Sequence, residues 1–241
     1  MLTQTQGIVV SQVSYGDTSA VAKIFTRQFG LLGFMVKGLK GGKGSIRPSH
    51  LMQLNLVELV MYKKENQGLQ IIKELRCVPL LPNLHVHPLK SCISLFVAEV
   101  LQRALQENHP DEHLFKYIYQ KILELDSTQE PMANFPLHFL LGLSHNLGFW
   151  PKGHYENEDT VFDLEEGVFV QTPYPGHHTA AKPSPEYIQQ LMQSDNSNWH
   201  IPQIPKNDRI VCLDVLVDYF RLHMLQRQEI KSHKVLREVL G

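Results

Sequence analysis

The sequence predicts an α+β protein, in which a five-stranded β-barrel is followed by an all-α helical region with an irregular insertion. Residues 1–80 consist of short runs rich in β-branched side chains, separated by turn residues. Pro79 and Pro82 then interrupt the chain, because a proline pair this close blocks both a helix and a central strand. From Pro88 onward, apolar residues recur at steps of three and four, which is the helical period. We therefore expect one domain over residues 1–80 and a second over residues 81–241.

Five strands are predicted in the first domain. Turn residues such as Gly16–Asp17 and Phe29–Gly30 separate them, and a glycine-rich connection joins the third strand to the fourth. Strands of this number and spacing are typical of a small barrel, whose oligonucleotide-binding version is the OB-fold. The predicted strands are Gly7–Tyr15, Ser19–Arg27, Leu31–Val36, Leu51–Tyr62 and Leu69–Arg76.

The second domain is predicted to be helical except for an insertion at about residues 150–183. The insertion is rich in Gly, Pro, His and acidic residues, and its alternating piece at Gly167–Gln171 indicates at most one small hairpin. Helices are expected to begin near Pro88, Asp111, Asn134, Ser184 and Asp208, and a short amphipathic tail begins at Ile230.

A glycine-rich cationic loop between the third and fourth strands is the candidate binding site. It has no acidic residue, and its cations are Lys37, Lys40, Lys43 and Arg47. Residues 1–80 carry 10 Lys and Arg against 4 Asp and Glu, whereas the rest of the chain carries 13 against 20. A polyanion would be attracted only to the first domain. We therefore predict that the loop contacts nucleic-acid phosphates, with Arg27 alongside it, although a solvated surface loop is the simpler interpretation of any charge run.

No motif in the sequence supports nucleotide hydrolysis or nucleophilic catalysis. Three residues, rather than the four of a P-loop, separate Gly38 from Gly42, and Gly44 stands where a hydroxyl would bind magnesium. Ser45 and His50 lie near the loop without an acidic partner. We therefore expect a protein that is not an enzyme.

No metal or cofactor is expected either. Five of the 13 histidines fall in two loose groups, and neither group offers four ligands at the tight pairwise spacing of a zinc site. The groups are His85, His87 and Cys92, and His154, His177 and His178. The three cysteines are far apart, no charged and apolar leader begins the chain, and its apolar runs are too short to cross a bilayer. We therefore expect a cytoplasmic protein that does not bind membranes.

Several segments resemble the RecO family of DNA repair and recombination mediators. Five lie in the region similar to the family's amino-terminal OB domain, one is similar to the segment before its zinc-ribbon insertion, and the last resembles its carboxy-terminal helix. In that order they are Gly7–Val9, Tyr15–Asp17, Phe25–Arg27, Phe29–Leu31 and Lys37–Gly38, then Leu147–Pro151, then Lys231–Ser232 with Leu236.

The resemblance implies a protein that binds single- and double-stranded DNA and anneals complementary strands without ATP. It further implies that the protein acts with RecR to help load the RecA recombinase onto DNA coated by single-stranded-DNA-binding protein. Many relatives carry two Cys-x-x-Cys pairs in the insertion, whereas this chain has no cysteine between Cys92 and Cys212. The insertion is therefore expected to fold without the family's zinc.

The resemblance also implies a site for the acidic carboxy-terminal tail of single-stranded-DNA-binding protein. Such a tail needs an apolar pocket rimmed by cations, and three cations lie on predicted helices next to apolar faces: Arg103, Lys116 and Lys121. Two other functions fit the composition. The barrel could prefer structured RNA, or the acidic helical domain could be a non-catalytic scaffold that binds proteins while the barrel merely folds.

Overall fold

The predicted OB-fold barrel is confirmed. A computed structural model describes residues 2–39, 46–64, 68–194, 198–224 and 229–240. Its five strands form a closed barrel in the order β1-β2-β3-β5-β4, in which β1 also pairs with β4. All pairs are antiparallel except β3 with β5. The strands are β1 Leu2–Tyr15, β2 Ser19–Thr26, β3 Gly30–Val36, β4 Leu56–Tyr62 and β5 Leu69–Cys77.

The interior of the barrel is filled by the side chains on the inward-facing side of each strand. Successive side chains alternate between the two faces of a strand, so residues that share one parity form a common core. The members of this core are at most 9% exposed and include Val9, Ala22, Ile24, Phe34, Leu59, Met61 and Ile72. The intervening residues face outward, where some are exposed and others, such as Ile8 and Phe25, are buried.

The fourth strand is shorter than the predicted Leu51–Tyr62. A 3₁₀ helix covers Pro48–Leu51, and β4 begins only at Leu56. Between them, Leu54 has a positive φ of 62° and its N–H donates to the carbonyl of Val9 at 2.7 Å. Leu51 and Leu54 belong to this turn, and their apolar side chains are fully buried. Because the residues before β4 are apolar and buried although they are not in a strand, the sequence predicts a strand that begins too early.

The chain contains two compact units, Met1–Asp126 and Ser127–Gly241. The first unit contains the barrel and two helices, α1 Pro88–Ala104 and α2 Glu112–Ser127. Only the last residue of α2, Ser127, falls in the second unit. In the first unit α1 contacts β1, and Phe115 of α2 packs against Phe25 of β2 with ring centroids 5.7 Å apart. The domain boundary at residue 80 stays a prediction.

The second unit is helical around a small sheet. Its central helix, α5, contacts the other three helices of the unit. The insertion forms a three-stranded sheet in the order β7-β6-β8, one strand more than the predicted hairpin. Among the described residues, no helix is both long and apolar enough to span a membrane. The elements are α3 Phe135–Asn146, β6 Val161–Asp163, β7 Val168–Val170, β8 Thr179–Ala180, α4 Ser184–Gln193, α5 Lys206–His223 and α6 Ser232–Leu240.

Candidate nucleic-acid interface

Both described ends of the cationic loop are attached to the barrel core. At its start, the N–H of Leu39 donates to the carbonyl of Thr18 at 2.8 Å. The side chains of Leu39 and Ile46 are half-buried against the core. Lys40 and Lys43 lie outside the described residues. The loop is therefore held at two apolar anchors, one on either side of its central cations.

The two loop cations that the structure describes lie beyond these anchors. Lys37 directly follows β3, and its side chain is exposed. Arg47 precedes the 3₁₀ helix, where its N–H donates to Nδ1 of His50 at 3.3 Å, and its side chain is also exposed. Both cations are accessible to a phosphate, which is what the proposed role of the loop requires.

Arg27 lies away from the loop. Arg27 directly follows the last residue of β2, and that residue pairs with the first residue of β3. Lys37, in contrast, follows the last residue of β3. The seven residues of β3 separate the two positions, which is roughly 23 Å along the strand. The guanidinium of Arg27 also hydrogen-bonds to Gln6 at 3.2 Å and to Glu112 at 2.5 Å. The structure does not bring Arg27 together with the loop cations, and its role at DNA stays a prediction.

The three cations assigned to a protein tail differ in accessibility. Lys116 is the most exposed, at 55%, and its ammonium pairs with Glu112 at 3.1 Å. Arg103 is 21% exposed and pairs with Glu99. Lys121 is only 3% exposed and donates to Glu124 at 2.7 Å, and burial lowers its pKa. The side chain of Lys121 thus has almost no surface to offer a partner, so the assignment is better supported for Lys116.

Two exposed aromatic residues on the barrel were not selected from the sequence. Tyr15 ends β1 and is 63% exposed, and Tyr62 ends β4 and is 44% exposed. Because Leu39 bonds to Thr18, the turn that follows Tyr15 lies directly against the start of the loop. The alternation of apolar residues in each strand could have indicated which aromatic side chains face outward. Aromatic rings of this kind are the surface on which unpaired bases stack.

Hydrogen bonds to one buried carboxylate hold the insertion together. The buried carboxylate of Asp163 accepts the N–H groups of Glu165 and Glu166 at 3.0 and 3.1 Å and the Nδ1–H of His177 at 2.8 Å. Asp163, Glu165 and His177 also place one ligand atom each within 4.8 Å of one another. This set does not fit a four-cysteine zinc site, since it offers no sulfur and the carboxylate of Asp163 already accepts three hydrogen bonds.

Each part of the chain matches a known family model. Residues 1–80 match the model described as Recombination protein O N terminal, and residues 87–233 match Recombination protein O C terminal. Proteins named DNA repair protein RecO are similar over essentially the full length. The chain is 31% identical to that of Azobacteroides pseudotrichonymphae over 239 residues, with 99% of each chain covered. It is 32% identical to that of Phocaeicola vulgatus over 242 residues, with 100% of each covered.

The fold and the comparisons lead to the same assignment. The chain forms a closed OB-fold barrel followed by a helical region, and the two family models together match most of the sequence. The chain belongs to the RecO family of DNA repair proteins.

Proposed function

We propose that this protein binds single- and double-stranded DNA in the cytoplasm, anneals complementary strands without ATP, and acts with RecR to help load RecA onto DNA coated by single-stranded-DNA-binding protein. The observation that carries the proposal is the cationic loop, attached to the barrel through Leu39 and Ile46 within a region that carries 10 Lys and Arg against 4 Asp and Glu. Full-length similarity to proteins named DNA repair protein RecO supports it.

The mechanism that we propose is electrostatic. Each lysine or arginine that contacts a phosphate releases a condensed counterion, so binding is driven by the entropy of the released salt. Because such contacts do not depend on base identity, two different strands can be held on one surface until their bases pair. No nucleotide hydrolysis enters this scheme, which agrees with a mediator rather than an enzyme.

A salt titration of oligonucleotide binding, combined with an annealing assay without ATP, tests this function. We expect the logarithm of the affinity to fall linearly with the logarithm of the salt concentration, and complementary strands to anneal faster with the protein than without it. Affinity that does not depend on salt, or annealing at the uncatalysed rate, would contradict the proposal. RNA of the same length and sequence provides the comparison, since tighter binding to RNA would favour a different cellular substrate.

The contact with the acidic tail of single-stranded-DNA-binding protein is a second part of the proposal. We assign it to Lys116 and Arg103, and we retain Lys121 only as the buried neighbour of Glu124. A peptide with the tail sequence should bind the protein with an affinity that falls as salt rises. Charge reversal at Lys116 should weaken this binding, whereas unchanged peptide affinity would remove Lys116 from the site.

A further inference from the structure

A cleft opens in the first unit where the barrel is joined to α1. The end of β5, the 3₁₀ helix Pro48–Leu51 and the connection over residues 78–87 contribute its walls. Its volume is about 790 Å³, which is within the range of about 300–1,000 Å³ that small-ligand sites occupy. The described cations of the loop, Lys37 and Arg47, are not among the residues that line it. The cleft is therefore distinct from the candidate site described above.

An apolar wall lines part of the cleft. It consists of Leu75, Leu80, Leu81 and Pro82. Leu75 is only 5% exposed, whereas the side chain of Leu80 is 76% exposed, so the described part of the chain covers little of it. Apolar side chains among a few polar groups are the usual lining of a site that holds a small ligand.

The guanidinium of Arg76 brings a positive charge to the cleft. Arg76 is exposed near the end of β5, and no ion pair involves it among the residues that the structure describes. The neighbouring carboxylate of Glu74, which also lines the cleft, lies 3.8 Å from Lys73 instead. Arg76 is thus available to an anion, and its planar fork matches the oxygens of a phosphate.

His85 offers the cleft a hydrogen-bond acceptor. The amide Nδ2 of Asn55 donates to the carbonyls of Ser49 and His50 at 2.8 and 3.3 Å, so its Oδ1 is the atom that lies 3.0 Å from Nε2 of His85. Since a carbonyl oxygen only accepts, Nε2 carries the proton. Burial lowers the pKa of His85, so the ring stays neutral near pH 7. In a neutral ring with a protonated Nε2, Nδ1 is an acceptor.

We propose that this cleft binds a nucleoside monophosphate. Arg76 holds the phosphate, the base lies against Leu75 and Leu80, Nδ1 of His85 accepts an N–H of the base, and Glu74 accepts a sugar hydroxyl. A free phosphate would leave the apolar wall uncovered, and a purely apolar ligand would leave the guanidinium unpaired. A free nucleotide and the terminal nucleotide of a strand share the required chemistry. The proposal does not rest on DNA binding by the cationic loop.

Alkylation of Cys77 reports whether the cleft is occupied. Cys77 lines the cleft and is half-buried, and Cys92 is equally half-buried but does not line it. AMP should slow the reaction of iodoacetamide with Cys77 in a saturable manner and leave that of Cys92 unchanged. Ribose 5-phosphate lacks the base and adenosine lacks the phosphate, so each should need a concentration roughly tenfold or more higher. Equal protection by all three compounds would contradict the proposal.

Two exposed residues of the cleft provide variants that should fold. Arg76→Gln should raise the AMP concentration for half-protection of Cys77 roughly tenfold, as expected when a charge-assisted hydrogen bond is lost. Leu80→Ser should raise it several-fold, because the base loses an apolar contact. The matched controls are Lys73→Gln on the same strand and Val86→Ser on the same connection, where Val86 is 80% exposed. Both controls should keep the wild-type value.

Failure of the variants does not protect the proposal. A folded Arg76→Gln protein with wild-type protection by AMP would overturn it. If Arg76→Gln does not fold, the wild-type protein decides, since AMP must protect Cys77 more strongly than ribose 5-phosphate and adenosine do.

A single strand with a 5′-phosphate, and the same strand without it, separate the two sources of the nucleotide. Protection of Cys77 by the phosphorylated strand alone, at a lower concentration than AMP, would assign the cleft to strand ends. Protection by AMP and by neither strand would assign it to a free nucleotide. If AMP does not protect and the two strands act alike, or if none of the three protects, the proposal is overturned. Salt-dependent DNA binding would survive that result, and its own absence would leave protection by AMP unaffected.

Discussion

The guanidinium of Arg27 lies 2.5 Å from the carboxylate of Glu112, a residue of α2 that is distant in sequence. The ammonium of Lys116 reaches the same carboxylate at 3.1 Å. Hydrogen bonds from Arg27 and Lys116 lower the pKa of Glu112 to about 2, so the carboxylate stays ionised throughout the neutral and mildly acidic range. One acidic side chain therefore neutralises a cation assigned to DNA and another assigned to a protein tail.

Replacing Glu112 tests whether Arg27 belongs to the DNA path. In Glu112→Gln, the neutral amide no longer offsets the guanidinium, so one more cation becomes available to a phosphate. We expect tighter binding to single-stranded DNA and a salt slope steeper by about 0.7. The control is Glu99→Gln, which removes the acidic partner of Arg103 instead, and it should leave the slope unchanged. A wild-type slope in Glu112→Gln would place Arg27 outside the path.

Removal of the loop cations should weaken DNA binding without unfolding the protein. In a Lys37→Ala/Lys40→Ala/Lys43→Ala variant, loss of three phosphate contacts should flatten the plot of log affinity against log salt by about 2 for single strands. The loss should be nearly equal for every base sequence, because phosphates carry no sequence information. Annealing should decline in parallel.

A second triple variant controls for the change in net charge. Lys182, Lys206 and Lys234 lie in the other compact unit, and their replacement by Ala removes the same number of cations. This control should keep most of the wild-type slope. A folded loop variant with the wild-type slope would show that the loop is only a solvated connection.

Asp126 should be important for the stability of the first unit. Its buried Oδ1 accepts the N–H groups of Asn83 and Leu84 at 2.9 and 2.7 Å, and its carboxylate partly offsets the burial that lowers the pKa of Lys90. Asp126→Ala leaves two backbone donors without their acceptor and should cost about 3 kcal/mol in chemical denaturation. Asp126→Asn keeps an oxygen acceptor and should cost less.

A helix-capping aspartate is the comparison for Asp126. Asp111 accepts a single N–H, that of Leu114, at the start of α2, so Asp111→Ala should cost about 1 kcal/mol. Equal losses in Asp111→Ala and Asp126→Ala would mean that the buried bonds of Asp126 add nothing beyond an ordinary cap.

The contact between His177 and Asp163 should make the insertion more stable at low pH. The hydrogen bond from His177 to Asp163 raises the pKa of the imidazole above its ordinary 6.5, and the nearby Glu165 and Glu166 act in the same direction. The contribution is therefore complete below about pH 6.5 and is lost as the pH rises through the folded-state value. We expect the difference in melting temperature between wild type and His177→Gln to shrink from acidic to alkaline pH. In an Asp163→Asn background, the same substitution should show a smaller trend, because Glu165 and Glu166 remain.

A chelator should not change the stability of the protein. Hydrogen bonds to Asp163 and the packing of Phe162 against Phe169, with ring centroids 5.1 Å apart, hold the insertion together. The melting temperature should therefore be the same with and without EDTA, and elemental analysis should find no stoichiometric zinc. Stoichiometric zinc together with a chelator-induced fall in melting temperature would contradict this expectation.

The sequence was sufficient to predict the barrel strands wherever local signals agree. Turn residues and alternation placed β2, β3 and β5 within one residue at each end. The start of β4 was not predicted correctly, because Leu51 and Leu54 precede the strand but are buried. Buried positions are apolar both inside and outside strands, so apolar residues alone do not mark where a strand begins. The third strand of the insertion has only two residues, Thr179–Ala180, too few to show any period.

The candidate site was less predictable, because its geometry depends on pairing between distant segments. A basic loop is visible in composition alone. Which exposed residues of the barrel lie side by side depends on the register that pairs Tyr62 with both Leu2 and Ile71, and a shift of one residue would turn these side chains inward. Likewise, the pairing of Arg27 with Glu112 joins residues that only tertiary structure brings together.

The way in which β1 closes the barrel has a consequence for the growing polypeptide on the ribosome. Its second half pairs with β2, whereas its first half pairs with β4, and β5 must enter between β3 and β4. The first three strands can form a meander as soon as they are synthesised, but closure waits for β5 and for contacts between distant segments, which form slowly. Until Cys77 has been added, β5 is incomplete and the nascent sheet stays open.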